Sequence, residues 1–258
     1  MSFFKKLFGK SDNPSPSETP DSKDEDQVTG PILPQVHTLE ELLEPFAAIG
    51  YEKQLRFQQA IGNLAWEFDM QKGKIKFDKR HSFPAQIIGT FSKSQETFMW
   101  SWANIHSGIP EHHLKQAKAM KSFGEDQGIV DLFEDSFKVD LQFLHIMGMI
   151  AVGMFRSSCY YLADYGQGIM LMTMQAPIVD QLAGDSASVM VRVFPEMISK
   201  FTVAHIPALT HYLELKGYEI SEEGNMHKAT KGNNSLEVTF DELGRMTKLT
   251  GGEKPAAS

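Results

Sequence analysis

AQIIGTFSKSQETFMWSWAN, residues 85–104, places two apolar stretches on either side of a short polar segment. Alternating side chains and a turn at residues 92–95 predict a β-hairpin with strands at residues 85–91 and 97–104. Upstream of this hairpin, apolar side chains occupy every second position on both sides of a turn: Trp66, Phe68, Met70, Ile75 and Phe77. The sequence therefore predicts four strands in an antiparallel meander.

The last of these strands is rich in aromatic residues. Because side chains alternate across a strand, Phe98, Trp100, Trp102 and Asn104 are expected on one face. One interpretation is core packing, since an indole buries on the order of 200 Å² of surface. The other is a ligand wall, in which Trp100, Trp102, Asn104 and the nearby His106 bind a small molecule. The sequence favours core packing and leaves the ligand wall open.

Helix signals lie on both sides of the predicted meander. Thr38, followed three residues later by Glu41, predicts a capping box and a helix start, and Pro45 is expected to interrupt this helix. An amphipathic helix is predicted between Pro110 and a stop at Gly124. Apolar spacing over residues 129–155 predicts a long helix, covered on all sides, at the centre of the core.

The rest of the chain predicts further strands and helices. Residues 159–165 and 169–175 predict a second hairpin. Val189, Val191 and Val193 suit a short strand, with a helix as the alternative. Pro195 and Pro207 each fit the first turn of a helix, and Gly217 ends the second of these helices. Four short strands are predicted after this helix, at residues 218–220, 226–230, 236–240 and 246–249.

The order of one helix followed by four strands thus occurs twice, which predicts two helix-plus-four-strand halves at residues 37–125 and 126–250. Each half would wrap a curled sheet around its helix, as cystatin-like folds do, although this pseudo-repeat rests on element order alone. The predicted fold class is α+β, with antiparallel β-meanders packed with helices. We expect a single domain over residues 37–250 and a disordered tail at residues 251–258.

Two distinct segments precede this domain. Residues 11–36 contain five prolines and six acidic side chains against one lysine, which predicts a disordered, acidic, Pro-rich linker. Residues 1–10 form an amphipathic segment, expected to contact an anionic membrane surface or a partner groove, with a disordered start as the alternative. The residues expected to make this contact are Phe3, Phe4, Lys5, Lys6, Leu7 and Phe8.

The composition argues against several classes of protein. The formal net charge of −8 disfavours nucleic-acid binding. Cys159 is the single cysteine, which excludes an intramolecular disulfide and a multi-cysteine zinc site and favours a reducing compartment. The apolar run at residues 143–155 is too short to span a bilayer, which requires about 18–20 residues. We expect a cytoplasmic protein, with peripheral attachment at the inner membrane through residues 1–10 as the alternative.

Patterns that carry catalysis or bind metals are weak throughout the sequence. His106, His112 and His113 lack metal-ligand spacing and are expected on the surface. His145 is expected to be a hydrogen-bonded imidazole in an apolar helix, and Cys159 is expected to be inert. We therefore expect no catalytic residue, no cofactor and no metal ion. Carboxylates that could supply an acid–base pair, if the fold brought two together, are Glu134, Asp180, Asp185 and Glu196.

Three motifs resemble those of a family of uncharacterised bacterial proteins, a domain of unknown function marked by a Trp-x-Trp-Ala-Asn strand. They are GTF at residues 89–91, WSWAN at residues 100–104 and FDELGR at residues 240–245. The resemblance covers roughly residues 54–249. It implies a continuous fold and a bacterial origin, and it implies no activity.

The sequence therefore predicts a non-catalytic cytoplasmic binding or interaction protein whose partner is an unidentified protein or small molecule. The alternative is a hydrolase-like enzyme with a site beside Trp100, Trp102 and Asn104 that uses His106 or a nearby carboxylate. A polar cavity on that strand would favour the enzyme. A dry, packed pair of tryptophans would argue against it.

Overall fold

The computed structural model of the protein describes residues 35–253. Helices and antiparallel sheets make up this region, which confirms the α+β fold class. Val36, which we placed in the linker, is buried in the core, so the folded region includes this residue. The amphipathic segment at residues 1–10, the linker up to residue 34 and the tail after residue 253 lie outside the described residues.

The described region contains six α-helices and eleven strands. In chain order, helices α1–α6 are Leu39–Ala60, Lys115–Gln127, Leu141–Met154, Pro177–Asp180, Ala187–Ile198 and His205–Leu215. Strands β1–β7 are Trp66–Asp69, Lys74–Phe77, His81–Ser92, Thr97–Trp100, Ser136–Lys138, Cys159–Asp164 and Gly168–Met174. Strands β8–β11 are Glu219–Glu223, Met226–Lys231, Asn234–Phe240 and Met246–Glu253. Short 3-10 helices at Glu111–His113 and Val130–Leu132 precede α2 and β5.

The strands form two antiparallel sheets. The long strand β3 pairs with β2 through its first four residues, and its last four residues pair with both β4 and β7. With β1, β5 and β6 added at the edges, this sheet has seven strands. Strands β8–β11 form a separate four-stranded meander. Since the first sheet has seven strands instead of four, the two-half pseudo-repeat stays a prediction.

Helix α1 begins at the predicted capping box. The Thr38 hydroxyl accepts a hydrogen bond from the backbone N–H of Glu41 at 3.1 Å, and the Glu41 carboxylate accepts from the backbone N–H of His37 at 2.7 Å. The expected interruption at Pro45 is wrong, because α1 continues through this residue and is 22 residues long in total. Packing against α3, α5 and α6 buries much of α1 and offsets the backbone hydrogen bond that proline removes.

Two glycines allow α1 and α3 to cross closely. A Cβ atom on Gly50 would lie 2.7 Å from the Cβ of Met149. One on Gly153 would lie 2.1 Å from the ring of Phe46. Larger residues at either position would force the helices apart, so the glycines fix this contact at the centre of the core.

Two helix predictions between residues 110 and 155 require correction. The amphipathic helix begins only at Lys115 and ends at Gly128, whose φ of +75° makes it the left-handed cap, while Gly124 lies inside the helix against Leu132. The continuous helix predicted over residues 129–155 is instead a 3-10 turn, strand β5 and helix α3. Asp140 starts α3, because its carboxylate accepts a backbone N–H at 3.1 Å.

The second hairpin and the four C-terminal strands form as predicted, with β11 extending to Glu253 into the expected tail.

The structure also decides between the strand and the helix that the sequence left open for Val189, Val191 and Val193. Val189, Val191 and Val193 lie in helix α5, not in a strand. The helical period is carried by the buried side chains of this segment, which are Met190, Val193, Phe194 and Met197. Pro195 lies near the end of α5 and not in a first turn, so that expectation is wrong.

Candidate functional site

The aromatic strand is packed into the core at Trp100. This side chain has no exposed surface, and its Nε1–H donates to the backbone carbonyl of Asp131 at 3.0 Å. Gly89 lies opposite Trp100 in the strand pairing, and a Cβ there would come within 2.2 Å of the Phe98 ring. The GTF and WSWAN motifs therefore meet at a close contact between β3 and β4, where Trp100 is fully buried.

The predicted alternation fails after Trp100, where strand β4 ends. Ser101 is buried and donates to the backbone carbonyl of Ile87 at 2.6 Å, which turns the chain away from the sheet. Trp102 is half-buried in the turn, with its ring stacked on that of Trp100 at a centroid distance of 6.3 Å. The ammonium group of Lys121 lies 4.0 Å from the centre of the Trp102 ring.

The remaining residues of the expected ligand wall lie in the loop that follows β4. The backbone carbonyl of Asn104 accepts from the hydroxyl of Ser107 at 2.6 Å. His106 is exposed, and its side chain has no hydrogen bond or ion pair with any residue in 35–253. Trp100 and Trp102 are thus stacked on each other, and a ligand wall that includes Asn104 and His106 stays a prediction.

A buried ionic cluster lies elsewhere, where α1 contacts α6. The Glu52 side chain is only 2% exposed and accepts from Arg56 and from the ammonium group of Lys216 at 2.8 Å. Its second oxygen accepts from the Tyr212 hydroxyl at 2.6 Å. Burial raises the pKa of Tyr212, and the charge of Glu52 raises it further. The carboxylate is thus neutralised inside the protein by two cations and one hydroxyl group.

The cluster continues into the C-terminal region. Lys216 also donates to the backbone carbonyl of Gly184 at 2.9 Å and lies 3.6 Å from the carboxylate of Asp185. Asp185 accepts from Lys231 at 2.7 Å, and this hydrogen bond lowers the pKa of Asp185. The cluster therefore connects α1, α6, β9 and the loop before α5.

A groove of about 560 Å³ opens beside this cluster, between α1 and α5. Its residues include both carboxylates and guanidinium groups, two glutamines and three aliphatic side chains. They are Glu52, Leu55, Arg56, Gln58, Gln59, Leu182, Val189, Arg192 and Glu196.

The carboxylates of the groove are already bound, whereas its guanidinium groups have unused donors. Glu196 accepts from Lys200 at 2.7 Å and from the Tyr51 hydroxyl at 2.6 Å, and these two hydrogen bonds lower its pKa. Arg56 donates only from Nη2, and its Nε and Nη1 atoms have no acceptor within residues 35–253. The exposed Arg192 has no hydrogen bond or ion pair in the described part of the chain.

The charges that line the groove balance, whereas the whole chain carries a net charge of −8. The lining holds two guanidinium groups, Arg56 and Arg192, and two carboxylates, Glu52 and Glu196. Cations outside the lining bind both carboxylates, since Lys216 pairs with Glu52 and Lys200 pairs with Glu196. The unused guanidinium donors are therefore the groups that can bind an anion here.

A larger hollow of about 870 Å³ lies between the β3–β4 turn and the start of α3. Most of its charged and amide side chains hold the fold together. Lys93 pairs with Asp164 at 2.6 Å, Asp140 caps α3, and Gln142 donates to a backbone carbonyl at 2.9 Å. The smaller groove is thus the better candidate, since its cationic donors remain available.

The cysteine and the histidines that the sequence analysis named lie outside the groove lining. Burial raises the pKa of the Cys159 thiol well above its ordinary value. His113 is buried against Gly73, so the expected surface position is wrong for this histidine, while His112 is exposed. His145 accepts or donates a hydrogen bond of 2.8 Å with the Tyr160 hydroxyl, as expected of a core imidazole.

The structure does not assemble an acid–base pair from the four carboxylates named from the sequence. Asp180 accepts from the Ser158 hydroxyl at 2.6 Å, Asp185 belongs to the ionic cluster, and Glu196 lines the groove. Glu134 has no side-chain hydrogen bond with residues 35–253. Within those same residues, no three His, Cys, Asp or Glu side chains are placed to hold a metal ion.

Comparison with protein-family models matches residues 40–177 to a family of unknown function, DUF6882. This match covers more than half of the 258 residues. The chain belongs to this family. The resemblance to a domain of unknown function is thereby confirmed, whereas the WSWAN strand as the family's mark and a bacterial origin stay predictions. No curated protein and no solved structure matches the chain.

The DUF6882 segment supplies only one wall of the groove. Glu52 and Arg56 on α1 lie inside the matched residues, whereas Arg192 on α5 and Lys216 lie beyond residue 177. The groove is therefore formed jointly by the family segment and the C-terminal region. Among residues 35–253, no helix combines the length and the apolar character that crossing a bilayer requires.

The sequence interpretation missed Glu52 and Arg56, although a signal was present. Both residues continue the buried face of α1, following Pro45 and Ala48 at helical spacing. A Glu and an Arg four residues apart also form a favourable pair on a helix. An oppositely charged pair in an otherwise apolar stripe indicates a buried ion pair, which a search for catalytic motifs does not detect.

Proposed function

We propose that the protein is a non-catalytic binding protein, and that its ligand is an organic anion held between α1 and α5 by Arg56 and Arg192. The observation that carries this proposal is the pair of guanidinium groups with unused donors in one groove, whose own carboxylates are already bound. A guanidinium group presents a planar fork of donors, which matches a carboxylate or a phosphate group.

The rest of the groove favours a ligand with an apolar body. Leu55, Leu182 and Val189 line it, and its volume lies within the range of about 300–1,000 Å³ that is typical of small-molecule sites. Gln58 and Gln59 offer amide groups that can donate to or accept from polar substituents. A carboxylic acid or phosphate monoester of metabolite size combines these features.

Binding without catalysis is the better interpretation of this site. The groove lining contains no serine, threonine, cysteine or histidine. Both oxygens of Glu52 already accept hydrogen bonds, and Glu196 is ionised and bound to Lys200, so neither is placed to transfer protons. The hydrolase-like alternative beside the aromatic strand loses its main support because Trp100 is fully packed.

A cytoplasmic location remains part of this proposal. The single cysteine is a buried thiol, which is compatible with a reducing compartment. Contact of residues 1–10 with a membrane surface or a partner stays a prediction, because those residues lie outside the described region.

The proposal is tested by isothermal titration calorimetry of the full chain with phenyl phosphate and benzoate, using benzyl alcohol as the neutral analogue. We expect one of the two anions to bind and the alcohol not to bind. Arg192→Gln should weaken the affinity about tenfold or more, since hydrogen bonds to charged groups contribute about 1.5–3 kcal/mol. Arg192 is exposed, so this variant should fold normally.

The matched control is Arg80→Gln, which makes the same charge change in the turn between β2 and β3. An equal loss of affinity in this control would mean that binding follows the net charge and not the groove. Failure of both anions to bind, in the wild type and in the linker variant described below, would contradict the proposal.

A further inference from the structure

We propose that residues 18–26 of this chain occupy the groove between α1 and α5 and compete there with the anionic ligand. This inference rests on the proposed function, since it assigns a second, tethered occupant to the same guanidinium groups. The protein would then contain its own competitor, and ligand binding would require displacement of the segment.

Charge complementarity is the first argument. The segment ETPDSKDED carries five carboxylates and one lysine, which gives a net charge of −4. The carboxylates of the groove, Glu52 and Glu196, are already bound by lysines, and the unused donors of Arg56 and Arg192 are part of its lining. Asp and Glu side chains present the carboxylate group for which these guanidinium forks are suited.

The length of the intervening chain is the second argument. Glu52 lies 14 residues after Thr38, and thus about 21 Å along α1, while Gln59 lies about 32 Å along it. Asp26 precedes the first described residue, Gln35, by nine residues, which span at most about 30 Å, and Glu18 precedes it by 17 residues, which span about 56 Å. The centre of the acidic segment therefore reaches the groove without full extension.

Tethering makes a weak contact effective. A segment held on a short chain has an effective concentration in the millimolar range at a site that it can reach. Even a contact with millimolar affinity would then occupy a large fraction of the grooves. A free anion would bind with an affinity reduced by that occupied fraction.

The first test neutralises the segment within the full chain through Asp21→Asn, Asp24→Asn, Glu25→Gln and Asp26→Asn. We expect the affinity for phenyl phosphate to rise about three- to tenfold, as the competitor is lost. The control neutralises four exposed carboxylates of the folded region that have no hydrogen bond or ion pair within residues 35–253: Glu67, Glu219, Glu237 and Glu242. It should leave the affinity within about twofold of the wild-type value.

The second test observes the segment directly, without any ligand. A nitroxide is attached at Ser22→Cys, and Cys159 does not compete for the label because its thiol is buried. Paramagnetic broadening of backbone amide signals is expected at residues 55–59 and 189–192. It should disappear in the Arg192→Gln variant and be suppressed at high salt, which screens the attraction.

The outcomes separate the two proposals. Binding of phenyl phosphate with no gain in the neutralised variant, and no broadening in the groove, would overturn the self-occupancy and leave the proposed function standing. Equal gains in both neutralised variants would likewise overturn it, since net charge alone would explain them. Broadening together with a gain confined to the linker variant would support it.

Discussion

The aromatic strand and the α1–α5 groove contrast in how residue type relates to role. Trp100 and Trp102 are conspicuous in the sequence, yet Trp100 is fully buried and Trp102 stacks beside it. Glu52 and Arg56 are inconspicuous members of an acidic chain, yet they form a buried ion pair in the lining of the groove. In this protein the rare tryptophans pack the core, whereas a common pair of charged residues lies at the proposed binding site.

The physical reason is the free-energy balance of burial. An indole gains free energy when its surface leaves water, so a buried tryptophan needs no further explanation. A buried ion pair gains little over an apolar replacement, because the desolvation of both charges opposes their attraction. The burial of Glu52, Arg56 and Lys216 in one cluster is therefore not explained by stability alone, and it is compatible with the binding role that we propose for the groove beside it.

The largest expected effect comes from breaking this cluster. Glu52→Ala should lower the free energy of unfolding by about 3–5 kcal/mol, because the buried Arg56 would lose its ion-pair partner and Lys216 would keep only the more distant carboxylate of Asp185. Urea denaturation followed by circular dichroism measures this loss. Glu67→Ala, at an exposed position on β1, is the control and should change stability by less than about 0.5 kcal/mol.

A sharper form of the comparison replaces the whole cluster with apolar side chains. The variant Glu52→Met, Arg56→Met, Lys216→Met and Tyr212→Phe should recover most of the stability that Glu52→Ala loses, yet it should not bind the anion. Stability well below that of Glu52→Ala would show that the cluster is needed to hold the fold.

The aromatic strand should respond as a packing element. Trp100→Ala is expected to cost about 3–5 kcal/mol of unfolding free energy through the cavity that it leaves, and Trp102→Ala about half as much. Neither should change the affinity for phenyl phosphate once the variant is folded. A specific loss of binding in folded Trp102→Ala would restore the ligand-wall interpretation and break the contrast between the two regions.

These contrasts also show which parts of the fold could be predicted from the sequence. The strands of the first meander, the 159–175 hairpin and the C-terminal strands follow from local alternation and turn residues, and the structure contains them. The failures at Pro45 and over residues 129–155 arose where tertiary packing or a single cap decided the outcome. Asp140, for example, starts a helix within a run whose apolar spacing looks continuous.

The groove could not be predicted for a different reason. Its two walls come from residues 52–59 and 182–196, which are separated by more than a hundred positions. Lys216, which neutralises Glu52, comes from a third element. The hydrophobic period of one segment does not indicate which distant segments contact each other. The sequence therefore contained one local sign of the site, the i,i+4 pair of Glu52 and Arg56 on one face of α1.

A smaller effect is expected where the two motifs of the aromatic region meet. Gly89→Ala should destabilise the protein by about 1–3 kcal/mol, since the new methyl group would overlap the Phe98 ring. Gly252→Ala, on β11, is the matched control, because a Cβ there meets no atom within 4 Å and its backbone is not left-handed, so it should change stability by less than about 0.5 kcal/mol. Combining Gly89→Ala with Phe98→Leu should cost less than the sum of the two single changes, as thermal denaturation of the four proteins would show.

The smallest expected effect is a loss of stability at acidic pH. It again distinguishes the core from the groove. Burial lowers the pKa of His145 below its ordinary value of 6.5, and burial likewise lowers those of His113 and His205. The unfolded chain then binds protons more readily than the folded chain, so this contribution to stability is complete above the ordinary value and is lost as the pH falls from that value through the lower pKa of the folded chain.

The free energy of unfolding should therefore be lower at about pH 5 than at about pH 7.5, as urea titrations at the two values would measure. His145→Gln should reduce this difference, because glutamine keeps a hydrogen-bonding side chain near Tyr160 but does not titrate. The groove lining contains no histidine, so its contribution to stability should not follow the same curve. An unchanged pH difference in His145→Gln would move the titration to His113 or His205, and Gln variants at those positions would show which of the two carries it.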